Sequence, residues 1–186
     1  MLCPFIPFAA EELNKKVLGN RGLMSTAESP SANDFRVDST AVVSEQLLTK
    51  VIEDARNLLK IVNKDHQKTM LNIYAPSDEA KNFFVEMVKS GTDKAKRGET
   101  IKRFSSLGIR PDRVIKLEYE LGSDLSQKIA ESTDLDEYEV LADASEFLSR
   151  EIGIEIRVAK AGQKDIRDPA NKAKDALPFK PAFLIE

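Results

Sequence analysis

The feature that most restricts how this chain can fold is a run of apolar residues at three- and four-residue spacing: Leu47, Leu48, Val51, Ile52, Ala55, Leu58, Leu59 and Val62. That spacing draws one apolar stripe along a helix and leaves Glu45, Lys50, Glu53 and Arg56 on the other side. It predicts a helix of roughly 24 residues, capped by Ser39 or Thr40, with a polar break at Lys64 to Lys68. Beyond the break the period changes. Thr69 to Ala75 is short and partly β-prone, stops at Pro76, and is followed by Ser77 as the cap of a helix through Phe83, Phe84, Met87 and Val88.

Further along, Gly91 to Gly108 reads as a basic helical segment. Val114 to Leu121 alternates like a strand, and Ser123 opens a short helix to Glu131. Asp134 or Asp136 opens a helix through Val140, Leu141, Ala144, Phe147 and Leu148, which Gly153 ends. Ile154, Ile156 and Val158 alternate with Glu155, Arg157 and Lys160 as a half-buried strand. Lys160 to Asp175 is a charged loop or short helix, and Pro181 to Ile185 a final strand. Upstream, Leu2 to Ala10 is apolar but interrupted by Pro4 and Pro7 and lacks a basic flank, so it reads as the first turns of a buried helix rather than a secretory leader. A helix this apolar from its start suggests either a core whose other half is not encoded here or a helix that packs on the next one. Asn20 to Asp38 is a loop rich in Ser, Asn, Gly and Pro. The expected fold class is α+β: a helical-bundle fragment over 1–68, then a small α/β domain with a short sheet over 69–186.

Chemistry is limited first by what is missing. The sequence holds neither G-x-x-x-x-G-K-[ST] nor G-x-G-x-x-G, the usual phosphate cradles. One cysteine, Cys3, and one histidine, His66, cannot build a zinc site between them, and a single cysteine fits a reducing cytosol. The acidic group Asp134, Asp136, Glu137 and Glu139 is read as capping and dipole complement at a helix start. No cofactor is expected in this chain and no catalytic residue is assigned. No apolar stretch reaches 18 residues, so no membrane partner is expected.

Charge says more once it is located. The net value is only −3. Yet Lys89 to Arg110 has seven basic residues against two acidic, a local +5. Asp112 to Glu155 has four against thirteen, or −9, and Ile156 to Glu186 has seven against four, or +3. Two basic blocks around an acidic one suggest a localised polyanion footprint, with Lys96, Arg97, Lys102 and Arg103 the candidates in the first block. Phe104, Phe179 and Phe183 could stack on unpaired bases or could equally be core.

Three stretches carry a family resemblance. Leu2-Cys3-Pro4-Phe5-Ile6-Pro7-Phe8-Ala9-Ala10-Glu11-Glu12-Leu13 resembles a helix of the anticodon-binding bundle of class I aminoacyl-tRNA synthetases. Ser25 to Pro30 is similar to that family's small-polar-Glu-Trp-Pro element, with Ser29 where Trp is usual. Glu146-Phe147-Leu148, Gly153-Ile154-Glu155-Ile156, Asp168-Pro169, Lys172-Ala173-Lys174, Ala176-Leu177-Pro178 and Lys180-Pro181-Ala182 resemble the carboxy-terminal end of archaeal and eukaryotic-cytosolic leucyl-tRNA synthetases. The resemblance implies the tail of a longer cytoplasmic enzyme, either a fragment or a truncated paralogue. Its partner would be leucine tRNA with a long variable arm, not DNA, and ATP would be used by a catalytic domain outside this segment. It also implies the contact residues: Phe183, Leu184, Ile185 and Glu186, supported by Lys172, Lys174 and Lys180. The competing expectation is an interaction module whose apolar face of Leu2, Phe5, Ile6 and Phe8 docks on a separate catalytic chain or self-associates.

Overall fold

A computed structural model describes residues 7–17, 19, 22–23, 38–62, 70–91, 93–132 and 135–186. They fall into two compact units, Met1–Val37 and Asp38–Glu186. In the first, helix α1 (Pro7–Lys16) begins on Pro7, where the missing N–H costs nothing, and ends ahead of Gly19 as expected. Ala10 and Asn14 are buried, and Asn14 Nδ2 donates to the Gly22 carbonyl at 2.9 Å. Phe8 is 90% exposed. Leu2 to Ile6, Cys3 included, and Ser25 to Pro30 lie outside the described residues, as does His66.

The second unit opens with α2 (Ser39–Val62), the expected 24-residue helix. Its cap is Asp38, not Ser39 or Thr40: Asp38 Oδ1 accepts from the Thr40 and Ala41 N–H groups at 2.9 and 3.4 Å. The apolar stripe buries Val43, Leu47, Val51 and Ala55 completely. Strand β1 (Met70–Ala75) follows, then α3 (Asp78–Lys89), capped by Ser77 as expected, and α4 (Lys94–Ser106), capped by Asp93.

Helix α5 (Pro111–Glu131) overturns the strand expected at Val114 to Leu121. The buried residues there are Val114, Leu117 and Leu121, which share one helical face. The alternating partners Ile115 and Tyr119 are exposed, Tyr119 at 90%. A β-like alternation and a helical stripe coincide over so few residues, and the longer stripe through Ile129 decides. Gly122, at φ 73° and ψ 170°, interrupts α5 where the sequence suggested a new helix. The single helix expected after Asp136 is two, α6 (Glu137–Asp143) and α7 (Ser145–Ile152), hinged at Ala144. Asp136 caps α6 by accepting from Tyr138 N–H at 2.9 Å.

Gly153 ends α7 in the left-handed region at φ 79°. A Cβ there would meet nothing within 4 Å. Gly153→Ala is therefore expected to cost only the backbone penalty, on the order of 1 kcal/mol in urea denaturation.

Strand β2 (Glu155–Lys160) lies parallel to β1, and β3 (Ala182–Ile185) antiparallel to it, in the order β2-β1-β3. A single 3-10 turn, Ala173–Asp175, sits between β2 and β3. One sheet face, with Leu71, Ile73, Ala75, Ile156 and Phe183, packs in a single core with Leu47 and Val51 of α2, Phe84 of α3, Phe104 of α4, Leu117 of α5, Leu141 of α6 and Leu148 of α7. The architecture is α+β. The division between units falls at 37/38, and the stripe of α2 is buried in the same core as the sheet. Among the described residues no helix is long and apolar enough to cross a membrane.

Candidate nucleic-acid interface

The second sheet face is the candidate site. Strand alternation and the register place three rows on it: Glu155–Met70–Glu186, Arg157–Asn72–Leu184 and Ala159–Tyr74–Ala182. The last row is covered by the loop after β2, through a small cluster of Tyr74, Ala161, Ile166, Ala173 and Ala176. Tyr74 Oη donates to the Arg167 carbonyl at 2.6 Å, and burial, with Asp168 and Glu186 nearby, raises its phenol above the ordinary value, which keeps it a neutral donor.

This loop presents cations because its own geometry consumes acids. Asp168 accepts from the backbone N–H groups of Lys172 and Ala173 at 2.8 and 2.7 Å, and Asp175 pairs with Arg113 at 2.6 Å. The side chains of Lys164, Lys172 and Lys174 are exposed and form no ion pair among the described residues. Arg167 is also largely exposed, 3.4 Å from Glu186.

The structure thus brings Lys172 and Lys174 alongside the terminal strand, but it divides the four terminal residues. Leu184 and Glu186 lie on the loop-covered face; Phe183 and Ile185 turn into the main core. Glu186 extends the pairing, its N–H donating to the Met70 carbonyl at 2.9 Å. Lys180 is already engaged with Glu120 at 2.6 Å, and this hydrogen bond holds the Glu120 carboxyl below its usual range.

In the first basic block the arginines are paired, while Lys89, Lys94 and Lys102 are exposed and form no ion pair among the described residues. Arg97 grips Glu118 with two nitrogens at 2.9 and 2.5 Å. Arg103 bridges Glu86 at 2.9 Å and Glu99 at 3.4 Å, and lies 5.9 Å from the Phe83 ring centre. Lys96 is 3.6 Å from Asp93, and Lys102 is exposed. Helix α4 packs mainly on α3 and α5. Phe104 and Phe179 are core residues, both almost wholly buried, and Phe183 packs against the same core.

Two residues escaped the sequence reading. Glu137, read as a helix-start acid, is 4% exposed, and both carboxylate oxygens accept from the Phe179 N–H at 3.0 Å. Phe179 holds φ at 60°, a region that favours glycine, inside the tight turn closed by mutual Leu177 and Lys180 backbone bonds at 3.0 and 2.9 Å. That turn leads directly into β3. Burial pushes the Glu137 carboxyl up to about 7, against the opposing pull of the Phe179 N–H and of Lys81, with Asp136 adding to the rise. The other is Asn72, whose only sequence signal is an amide amid apolar strand residues.

Fold and face together define an α+β module with a basic loop laid across one side of a three-stranded sheet. No family model matches the chain. Over its full length it is similar to the carboxy-terminal region of archaeal leucine–tRNA ligases. It is 29% identical over 188 residues to the leucine–tRNA ligase of Methanothermobacter thermautotrophicus and 30% identical over 187 to that of Pyrococcus furiosus. Identity to leucine–tRNA ligase 1 of Saccharolobus solfataricus is 26% over 189 residues. Each alignment takes in all of this chain but only 19%, 18% and 19% of the respective relative. The resemblance carried by the sequence motifs is therefore met along the whole chain, which spans about a fifth of the length of the curated relatives it matches.

Proposed function

We propose that the chain is a tRNA-binding segment of the leucyl-tRNA synthetase type, contacting the long variable arm of leucine tRNA in the cytoplasm and supporting aminoacylation without itself being catalytic. The observation that carries this reading is the shared face: the terminal strand and the unpaired lysines of the β2–β3 loop flank the same side of the sheet. Lysines without carboxylate partners attract phosphate at long range, and unpaired arm bases can meet the strand. Leu184, Glu186, Lys172 and Lys174 are the contacts this face favours, with Lys164 and Arg167 added to them.

Filter retention against a salt series tests the reading. A long-arm leucine tRNA is expected to bind more tightly than a short-arm tRNA. Replacing Lys164, Lys172 and Lys174 together by Gln is expected to flatten the slope of log affinity against log salt by about 2, at roughly 0.7 per phosphate contact on single strands. Equal binding of both tRNAs, or a slope unmoved by the triple substitution, contradicts it. A second reading, docking on a separate synthetase chain or self-association, is favoured by α1, where Phe8, Leu13 and Val17 are all exposed. Sedimentation separates the two, since a monomer that binds tRNA tightly leaves the docking reading without support.

A further inference from the structure

Asn72 sits in the middle of the central strand, 5% exposed, and its Nδ2 has no hydrogen-bond partner among the described residues. Asparagine is disfavoured in strands, and an amide donor buried without an acceptor destabilises the fold. Its neighbours on the same face are Leu184 on β3 and Arg157 on β2. Leu184 is half-buried, while Arg157 has its side chain more than half exposed and, among the described residues, is held by Glu155 alone, at 3.4 Å. The basic loop borders this row, with Arg167 reaching Glu186 in the next.

We propose that Asn72 is a base-reading residue: its amide pairs with the edge of an unpaired nucleobase that lies on Leu184 when the Arg157 side chain swings aside to the phosphate. The inference rests on the RNA reading above and deepens it. An amide presents one donor group and one acceptor, the complement of the N7 acceptor and N6 amino donor of adenine, so adenine is the expected base. The apolar Leu184 surface supplies contact for the base plane, and Arg157 supplies charge for the adjoining phosphate.

The test uses the full chain, 12-nucleotide single-stranded RNAs of one base each, a long-arm leucine tRNA, and the substitution Asn72→Leu, which keeps the branching at Cγ and removes the orphaned amide. Adenine oligomers are expected to bind best to the unsubstituted protein. Asn72→Leu is expected to lose that preference and about tenfold in tRNA affinity, while its urea midpoint stays the same or rises. A merely structural asparagine would move both quantities down together. Unchanged affinity and base preference in Asn72→Leu overturns the inference, as does a fall in the urea midpoint that accounts for the lost binding. If the lysine triple substitution weakens binding while Asn72→Leu does not, the RNA reading stands and the base-reading role falls. If the unsubstituted chain binds neither RNA, both fall.

Discussion

A fragment starting at residue 69 is expected to fail to fold, whereas one starting at Asp38 is expected to unfold in a single cooperative urea transition. The reason lies in α2. Val43, Leu47, Val51 and Ala55 are fully buried and share one core with both β1 and the helices after it. Burying the three larger side chains contributes roughly 1.5–3 kcal/mol each, a sum comparable to the whole stability of an ordinary domain at about 5–15 kcal/mol. Removing α2 would also expose the faces of α5 and α7 against which it packs. Within the intact unit, Leu47→Ala is expected to cost about 2–5 kcal/mol, the transfer loss plus the cavity left behind. Circular dichroism on the two fragments decides the matter: a cooperative transition in the 69–186 fragment, at the midpoint of the longer one, would falsify the single-core arrangement.

Stability of the intact unit is expected to fall as pH rises from about 5 to 8, and Glu137→Gln is expected to flatten that fall. Glu137 ordinarily ionises near 4.5, but in the folded unit burial pushes it up to about 7. The folded state therefore holds the proton more tightly than the unfolded chain. Its contribution is complete below the unfolded value and is lost as pH climbs through the folded one. A gap of that size corresponds to about 3 kcal/mol by the usual conversion of 1.36 kcal/mol per unit. The groups facing Glu137 are Lys81 on α3, Asp136 beside it and the Phe179 N–H across from it. Lys160, bound to Asp78 at 2.7 Å and Asp136 at 3.0 Å, screens the same corner. Histidine also titrates near neutrality, so the comparison belongs in a His66→Gln background, where the fall should persist. A wild-type profile that is flat, or that rises over this window, contradicts the buried-acid account.

Legibility in the sequence followed periodicity. Helix α2, strands β1, β2 and β3, and the Ser77 cap are readable, with Asp136 one of two caps on offer, because a 3.6 or 2.0 period or a capping side chain marks each one locally. Helix α5 was misread where the two periods overlap over Val114 to Leu121, and the hinge at Ala144 leaves no sequence mark at all. For the site, the charge blocks were visible but their partners were not. Arg97 and Arg103 look like surface cations in sequence, but Glu118, Glu86 and Glu99, the first two distant in sequence, pair with them in the fold.

What this chain's sequence determined alone was its set of local elements, the family resemblance carried by its motifs, and the presence of basic blocks, since each of these is encoded in neighbouring residues. Only the tertiary structure decided which cations remain unpaired, which terminal residues face the core, and that Glu137 and Asn72 matter. Glu137 meets Phe179 across 42 positions of chain, and Asn72 meets Leu184 only through strand pairing. Burial and hydrogen-bond satisfaction depend on such distant neighbours, and no local pattern specifies them.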